Sequence, residues 1–257
     1  MQILNHILGK MFGTNMKIYY RISDGGYAKI KPPYINNENC LRNFIKEFTA
    51  NELVVIADNV CESTMNMIRT YVNDSQIISC NIGNGAGTFT LSYDLALKEP
   101  DDTIIYFVEN DYLHKPNSKK ILLEGFTLST DYVTLYDHPD KYMLRENGGN
   151  KFCEEGSELT RVYATDSTHW KLTNSTTMTF AARVSTLKDN ELIIRKYTCG
   201  IHPENGEMTG HPYDFSMFIE LNKKGKALIS PLPGYSTHGE SRWLTNFTDW
   251  ETISNES

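Results

Sequence analysis

Four short runs rich in β-branched and aromatic residues, each separated from the next by a stretch with helical spacing, constrain this chain more than any other feature. They are KIYYRIS (17–23), LVVIADN (53–59), QIISCNIG (76–83) and TIIYFVEND (103–111). Strand-like runs that alternate with helical patterns specify βαβ units and a parallel sheet. LVVIADN is apolar almost throughout rather than alternating, the pattern of a strand covered on both faces. Between the runs, Leu41, Phe44, Ile45 and Phe48 recur at spacings of three and four, which predicts a helix with one apolar stripe. Met65, Ile68 and Tyr71 mark a second helix, Phe89, Tyr93 and Leu97 a third, and residues 118–125 a fourth, followed by the strand YVTLYD.

The pattern changes near Met143 to polar, Gly- and Thr-rich sequence that reads as a loop followed by antiparallel strands. Beyond it we expect a helix over 184–196, a second over 213–224, a closing strand over 226–230, and a frayed tail. The chain therefore divides into an N-terminal extension (1–16), an α/β half (17–142), a second half of the same domain (143–245) and a tail (246–257). Ile3, Leu4, Ile7, Leu8 and Met11 give the extension helical spacing, either as a docking helix or as a helix packed on its own domain. A length of 257 residues with 40% hydrophobic and 22% charged suits one domain with a sizeable core. The net charge of −7 argues against broad contact with nucleic acid or an anionic membrane face. Five cysteines lie far apart with no CxxC spacing, so neither a zinc site nor a disulfide framework is expected. No apolar run reaches the roughly 20 residues that span a bilayer, and the opening segment lacks the features of a secretory signal. A soluble, cytoplasmic protein is the expectation, peripheral membrane contact remaining open.

The residues with the most chemistry are Glu109, Asn110 and Asp111, where an apolar strand ends abruptly. Ligands of open α/β sheets bind beyond the carboxyl ends of the strands. Two carboxylates separated by one residue at such an end can face one cavity, where hard oxygen ligands suit Mg2+ or Mn2+ bridging a diphosphate. The alternative is an ordinary acidic turn.

The order IADN, CNIGNGAGTFTLSYDLAL, TIIYFVENDYLH, over about 17–114, resembles inverting glycosyltransferases of the GT-A fold, particularly the family-2-type group. The resemblance implies a GT-A-like, Rossmann-type fold with a mostly parallel central sheet flanked by helices, and a smaller mixed acceptor-side region. It implies a nucleoside-diphosphate sugar donor, a glycan or other hydroxyl-bearing acceptor, and a divalent metal, Mn2+ or Mg2+. The family's D-x-D stands here as E-x-D, with Glu109 and Asp111 as the implied metal ligands. A second block, HPYDFSMFIELNKKGKALISPLPGYSTH, is similar to the family's catalytic region, with its acidic pair reduced to Tyr213-Asp214. By resemblance Asp214 is the general base and His238 a further metal or diphosphate contact. The alternatives are a helix N-cap for Asp214 and a surface loop for His238.

Arg21, Ser23, Asp24, Asp58, Gly85, Gly87 and Asn110 are the candidates for nucleotide-sugar binding. Ser23 or Asp24 and Asp58 can accept from base or ribose, although Asp58 can equally cap a helix. Gly83, Gly85 and Gly87 allow close backbone approach, or make a tight turn. Arg21 and Lys29 can reach phosphates or be solvated. His169 and Trp170, in a Thr/Ser-rich block, are the acceptor-binding candidates, Trp170 being alternatively a core residue. The Gly-rich stretch 204–210 is a lid candidate or an inert connection. A nucleotidyltransferase acting on sugar phosphates is the nearest rival reading, but no strongly basic turn is expected after the first strand. A non-catalytic carbohydrate-binding module and a nucleic-acid-directed glycosyltransferase are the remaining alternatives.

Overall fold

In the computed structural model, which describes residues 15–25 and 29–257, the alternating first half builds a parallel sheet whose faces sort by residue parity. Strand β1 (Met16–Ser23) lies between β2 (Leu53–Asp58) and β4 (Ile104–Glu109), and β3 (Ile77–Cys80) extends the edge beyond β2, all parallel. Successive side chains of a strand point to opposite faces. Ile18, Tyr20 and Ile22 of β1, with Val55 and Tyr106 beside them, pack on α1 (Asn37–Glu47) through Leu41 and Phe44. Tyr19, Ile56, Ile105 and Phe107 face the other way, against Phe89 and Tyr93 of α3 (Gly85–Ala96). The helix α2 (Glu62–Arg69) joins β2 to β3 on the α1 side. By the same parity Arg21, Asp58 and Glu109 end their strands on the α3 face.

After β4 the chain turns into β5 (Tyr112–His114), α4 (Ser118–Gly125) and β6 (Tyr132–Val133). Only two residues of the expected strand YVTLYD pair in the large sheet. Two short strands, β7 (Cys153–Glu154) and β8 (Ser157–Glu158), form a separate ribbon. Strands β9 (Val162–Ala164), β10 (His169–Leu172), β11 (Phe180–Arg183) and β12 (Leu228–Leu232) complete a nine-stranded sheet of order β3-β2-β1-β4-β11-β6-β12-β10-β9. Of these, β11 and β10 run against the rest. A two-stranded ribbon pairs β5 with β13 (Ser236–His238).

Two expectations are revised. The single helix over 184–196 is two, α5 (Val184–Asp189) and α6 (Glu191–Thr198), broken at Asn190, whose backbone (φ −114°, ψ 12°) leaves the helical range while its side chain donates to Thr186 O at 2.8 Å. Asn competes with the helix ladder in this way. The helix α7 (Asp214–Lys223) covers the α3 face through Met217, Phe218 and Leu221. The frayed tail is instead α8 (Trp250–Asn255), capped by Asp249, which accepts from Thr252 N at 3.1 Å. Trp250 is 2% exposed and packs with Ile35, Cys40 and Leu113. The helix expected within residues 1–16 falls on 1–14, outside the described residues. Among the described residues no helix is long and apolar enough to cross a membrane.

Candidate active site

The carboxyl end of β4 gathers the acidic candidates. Glu109 accepts from Arg21 Nη2 at 3.1 Å, and its N–H donates to Thr179 Oγ1 at 3.2 Å. Asn110 turns its amide to Ser23 O (3.3 Å) and Asn37 Oδ1 (2.5 Å), which fixes the turn and leads Asp111 into the interior, 3% exposed. Pairing of β13 with β5 sets His238 opposite Tyr112, one residue past Asp111. His238 Nε2 lies 3.4 Å from Asp111 Oδ2. The approach depends on Gly239, where a Cβ would stand 2.7 Å from Asp111 O and 2.3 Å from Ile35 Cγ2.

One ligand atom from each of Glu109, Asp111 and His238 lies within 4.8 Å of the others. Opposite ligands on an octahedral Mg2+ stand about 4 Å apart, so a slight contraction closes the set around one ion. Asp111 Oδ1 is buried without a hydrogen-bond partner among the described residues. Two carboxylates and an imidazole, with a buried oxygen left over, fit a divalent cation of the Mg2+ or Mn2+ type. Burial alone would raise the Asp111 pKa, but the His238 imidazole and the Lys29 and Lys31 ammoniums outweigh it and hold the carboxyl well below its ordinary value. Lys29 Nζ is 3.1 Å and Lys31 Nζ 2.9 Å from Asp111 Oδ2. Sequence reasoning gave Lys29 only a passing role and missed Lys31. The signal was the spacing Lys29-Ile30-Lys31: an extended chain alternates its side chains, and Ile30 is 82% exposed while both lysines turn inward. No strongly basic turn was expected after the first strand; Lys29 and Lys31, beyond the end of β1 at Ser23, bring two basic side chains to Asp111.

A single loop, residues 174–179, ties this centre to Asp214. Tyr112 Oη donates to Thr176 O (2.9 Å) and Arg21 Nη2 to Met178 O (3.3 Å), while Thr176 N (2.7 Å) and Oγ1 (3.0 Å) donate to Asp214 Oδ2. Thr177 (φ 44°) and Met178 (φ 57°) hold left-handed backbone. Such strain costs about 1–3 kcal/mol per residue and persists only where surroundings over-determine it. Asp214 opens α7 without capping it; Tyr213 is the N-cap residue, and the Asp214 carboxylate turns to Thr176 instead. A hollow of about 240 Å³ lies beside it, with His138, Asp140, Asn150, Lys151 and Thr177 among its walls.

Several nucleotide candidates are engaged by the protein. Arg21, 5% exposed, donates through Nη1 and Nη2 to Glu109, Met178 O and Gly85 O (3.3 Å) and sits over the Phe89 ring. Asp58 accepts from Ile82 N (2.6 Å) and Gly83 N (2.9 Å), so it braces the β3–α3 turn and caps no helix of its own. Asp24 accepts from Cys61 N (2.6 Å) and Thr64 Oγ1 (2.7 Å) at the start of α2. The Ser23 hydroxyl accepts from Gly25 N at 3.1 Å. Gly87 is required for packing rather than ligand approach: its N–H caps onto Asn84 Oδ1 at 2.8 Å, and a Cβ would meet Ile82 Cγ2 at 2.3 Å. Next to Gly85, Ala86 N donates to Gly210 O at 3.0 Å, which seats the 204–210 loop on the start of α3. The acceptor expectation for Trp170 is corrected. Its ring is fully buried against Gly125, its Nε1 donates to Thr165 Oγ1 at 2.9 Å, and it shares the core with Ile18 and Tyr20, on the sheet face away from Arg21 and Glu109. No ring face is left for a sugar. Neighbouring His169 is exposed on β10 and does not join the hollow's lining.

No protein-family model and no curated protein sequence matches this chain. Among solved structures it is similar to GalNAc-T7, determined with UDP, GalNAc and Mn2+, at 11% identity and a TM-score of 0.51, over 87% of this chain and 43% of that one. It is also similar to glucosyl-3-phosphoglycerate synthase from Mycobacterium tuberculosis, determined with Mg2+ and uridine diphosphate (12% identity, TM-score 0.44, 87% of this chain and 72% of that one). A third is 2-C-methyl-D-erythritol 4-phosphate cytidylyltransferase from Francisella tularensis (11% identity, TM-score 0.43, 95% and 98%). Likeness at such identity concerns the fold: the chain has a GT-A-like α/β fold, a large central sheet flanked by helices.

Proposed function

We propose that the chain is a divalent-metal-dependent glycosyltransferase that moves a sugar from a nucleoside-diphosphate sugar to an acceptor hydroxyl, with inversion. The observation that carries this reading is the convergence of Glu109, Asp111 and His238 at the carboxyl end of β4, tied through one strained loop to Asp214. Glu109, Asp111 and His238 would hold the metal. A bound divalent cation supplies Lewis-acid stabilisation of the charge that develops on the leaving diphosphate.

The protein's own groups divide the remaining work. Lys29 and Lys31 bring two further positive charges to the leaving-group side. Thr176 fixes Asp214 Oδ2, which leaves Oδ1 to accept the proton of an acceptor hydroxyl entering through the adjacent hollow. A base within hydrogen-bond reach of the attacking oxygen is what direct displacement requires. Asn110 and Asn37 hold the turn that aims Asp111, and Arg21 braces Glu109.

The test is a thermal-shift screen of UDP, GDP, CMP and dTDP, each with Mn2+, Mg2+ or EDTA, on wild type and Asp111→Ala. Metal-dependent stabilisation by one diphosphate, lost in the variant, is expected; a folded protein indifferent to every nucleotide and metal would instead be a binding module. Lys29 and Lys31 favour one second reading, a nucleotidyltransferase, since two ammoniums suit a triphosphate. It predicts pyrophosphate release from a nucleoside triphosphate and a sugar phosphate, and no use of a diphosphate sugar.

A further inference from the structure

Asp111 and His238 are bridged, and the bridge is a side chain. Lys29 Nζ lies 3.1 Å from Asp111 Oδ2 and 3.0 Å from His238 Nε2. An ammonium has donors and no acceptor, so Lys29 and Nε2 form a hydrogen bond in the neutral tautomer that carries its ring proton on Nδ1. Lys29 therefore stands between the carboxylate and the imidazole, two of the three groups whose ligand atoms lie within 4.8 Å of one another. Lys31 touches the same Asp111 oxygen at 2.9 Å, and among the described residues it has no contact with His238. Lys29 is also the more enclosed of the two, its side chain 12% exposed against 31%.

We infer that Lys29 is a displaceable occupant of the cation position, and that it becomes a phosphate ligand when a divalent cation displaces it. This rests on Glu109, Asp111 and His238 being the cation ligands. With no metal bound, the Lys29 ammonium neutralises Asp111 and keeps it beside His238, so the ligands stay assembled rather than splaying under unpaired buried charge, which is costly. When a cation arrives between Asp111 and His238 the ammonium must leave, because a divalent cation and an ammonium between the same two side chains repel each other. The segment 29–31 keeps it beside the site, where the acidic side chains are now committed to the metal. The anionic partner that then suits it is a diphosphate oxygen of the bound ligand. The exchange makes cation and diphosphate binding mutually supportive: each finds its partner only when the other is present. Lys31, which among the described residues pairs with the carboxylate and not with His238, can remain in place.

The consequence is that Lys29 opposes binding of a cation by itself. Mn2+ is titrated into wild type, Lys29→Met, Lys31→Met and Asp111→Asn, free Mn2+ being read from its electron paramagnetic resonance signal, with melting temperatures confirming that each is folded. Lys29→Met is expected to bind Mn2+ about tenfold more tightly than wild type, the equivalent of about 1.4 kcal/mol. Lys31→Met, which removes an equal charge from the same oxygen, is expected to stay within about threefold. Asp111→Asn should lose binding. Equal gains in the two lysine variants would mean a general field effect and would overturn the inference, as would unchanged or weaker binding by Lys29→Met. Absence of Mn2+ binding in both wild type and Lys29→Met would overturn the ligand assignment itself, and this inference with it. A second readout separates displacement from charge: acetylation of Lys29 by acetic anhydride, followed by peptide mass spectrometry, should rise when Mn2+ is added to wild type. Labelling that Mn2+ leaves unchanged would show that the ammonium stays in place.

Discussion

Asp214 shows how much a residue's surroundings add to its sequence position. Read as sequence it is an acidic residue at a helix start, which serves equally as a cap. In the structure it caps nothing; Thr176 clamps one carboxylate oxygen from two donors, and Asp214 lines the adjacent hollow. Replacement by Asn keeps an oxygen for Thr176 and removes the carboxylate proposed as the base. For Asp214→Asn we expect transfer, measured as initial rate with the donor selected by the nucleotide screen, to fall by about 10²–10⁴. Donor-induced thermal stabilisation should be retained. A rate within about threefold of wild type would leave Asp214 a structural residue. Residue types at strand ends were legible in the sequence, as Glu109 and Asp111 illustrate. Their partners were not, because Asp24 and Asp58 offer the same carboxylate to backbone amides that they would offer to a nucleotide, and only the fold determines which amide is near.

Among the elements, those with long periodic runs were legible and those defined by contacts were not. Strands β1, β2 and β4 and helices α1 and α3 follow from parity and three-four spacing. The short β6, the break at Asn190 and α8 depend on neighbours outside their own windows. Trp170 belongs to this class: β10 alone does not reveal which face holds the ring, and Gly125 of α4, where a Cβ would come within 2.9 Å of the indole, determines it. We expect Trp170→Ala to cost about 3–5 kcal/mol through the cavity it leaves, read from urea denaturation, and not to act as loss of an exposed sugar platform would. A stability change below about 1 kcal/mol would contradict the packing described. The same region carries a pH-dependent contact. Glu124 of α4 accepts from Ser167 N at 2.9 Å across the β9–β10 turn. Burial raises its pKa, but the hydrogen bonds from Thr165 and Ser167 prevail and lower it. A carboxylate whose folded pKa lies below the unfolded value, about 4.3, stabilises the fold above that pH and loses the contribution as pH falls through the folded value. Glu124→Gln should therefore be about 1 kcal/mol less stable than wild type at pH 7, with the gap between urea midpoints closing toward pH 3. A gap that does not change with pH would mean that the charge contributes nothing.

Across the whole molecule, the candidate cation site is assembled from places remote in sequence: Lys29 and Lys31 after β1, Glu109 and Asp111 at the end of β4, and His238 on β13. No local pattern specifies that assembly. The sequence order resembling a glycosyltransferase pointed to it, and the β5–β13 ribbon accomplishes it. The last twelve residues, expected to be a tail, support that ribbon from behind. Leu113 of β5 packs with Trp250, Trp250 Nε1 donates to Thr245 O at 2.8 Å, and Thr245 N donates to Thr237 Oγ1 at 2.8 Å, one residue before His238. The last helix is thus coupled to His238, a candidate cation ligand, by packing and two hydrogen bonds. Trp250→Ala should lower stability by about 3–5 kcal/mol and also weaken Mn2+ binding in protein that remains folded, because His238 loses its fixed place beside Asp111. Both effects are measurable on one preparation, by urea denaturation and by the Mn2+ titration at a temperature well below the variant's transition. Loss of stability with unchanged Mn2+ affinity would show that β5 and Gly239 alone hold His238. Weakened affinity would make the C-terminal helix part of the site's support.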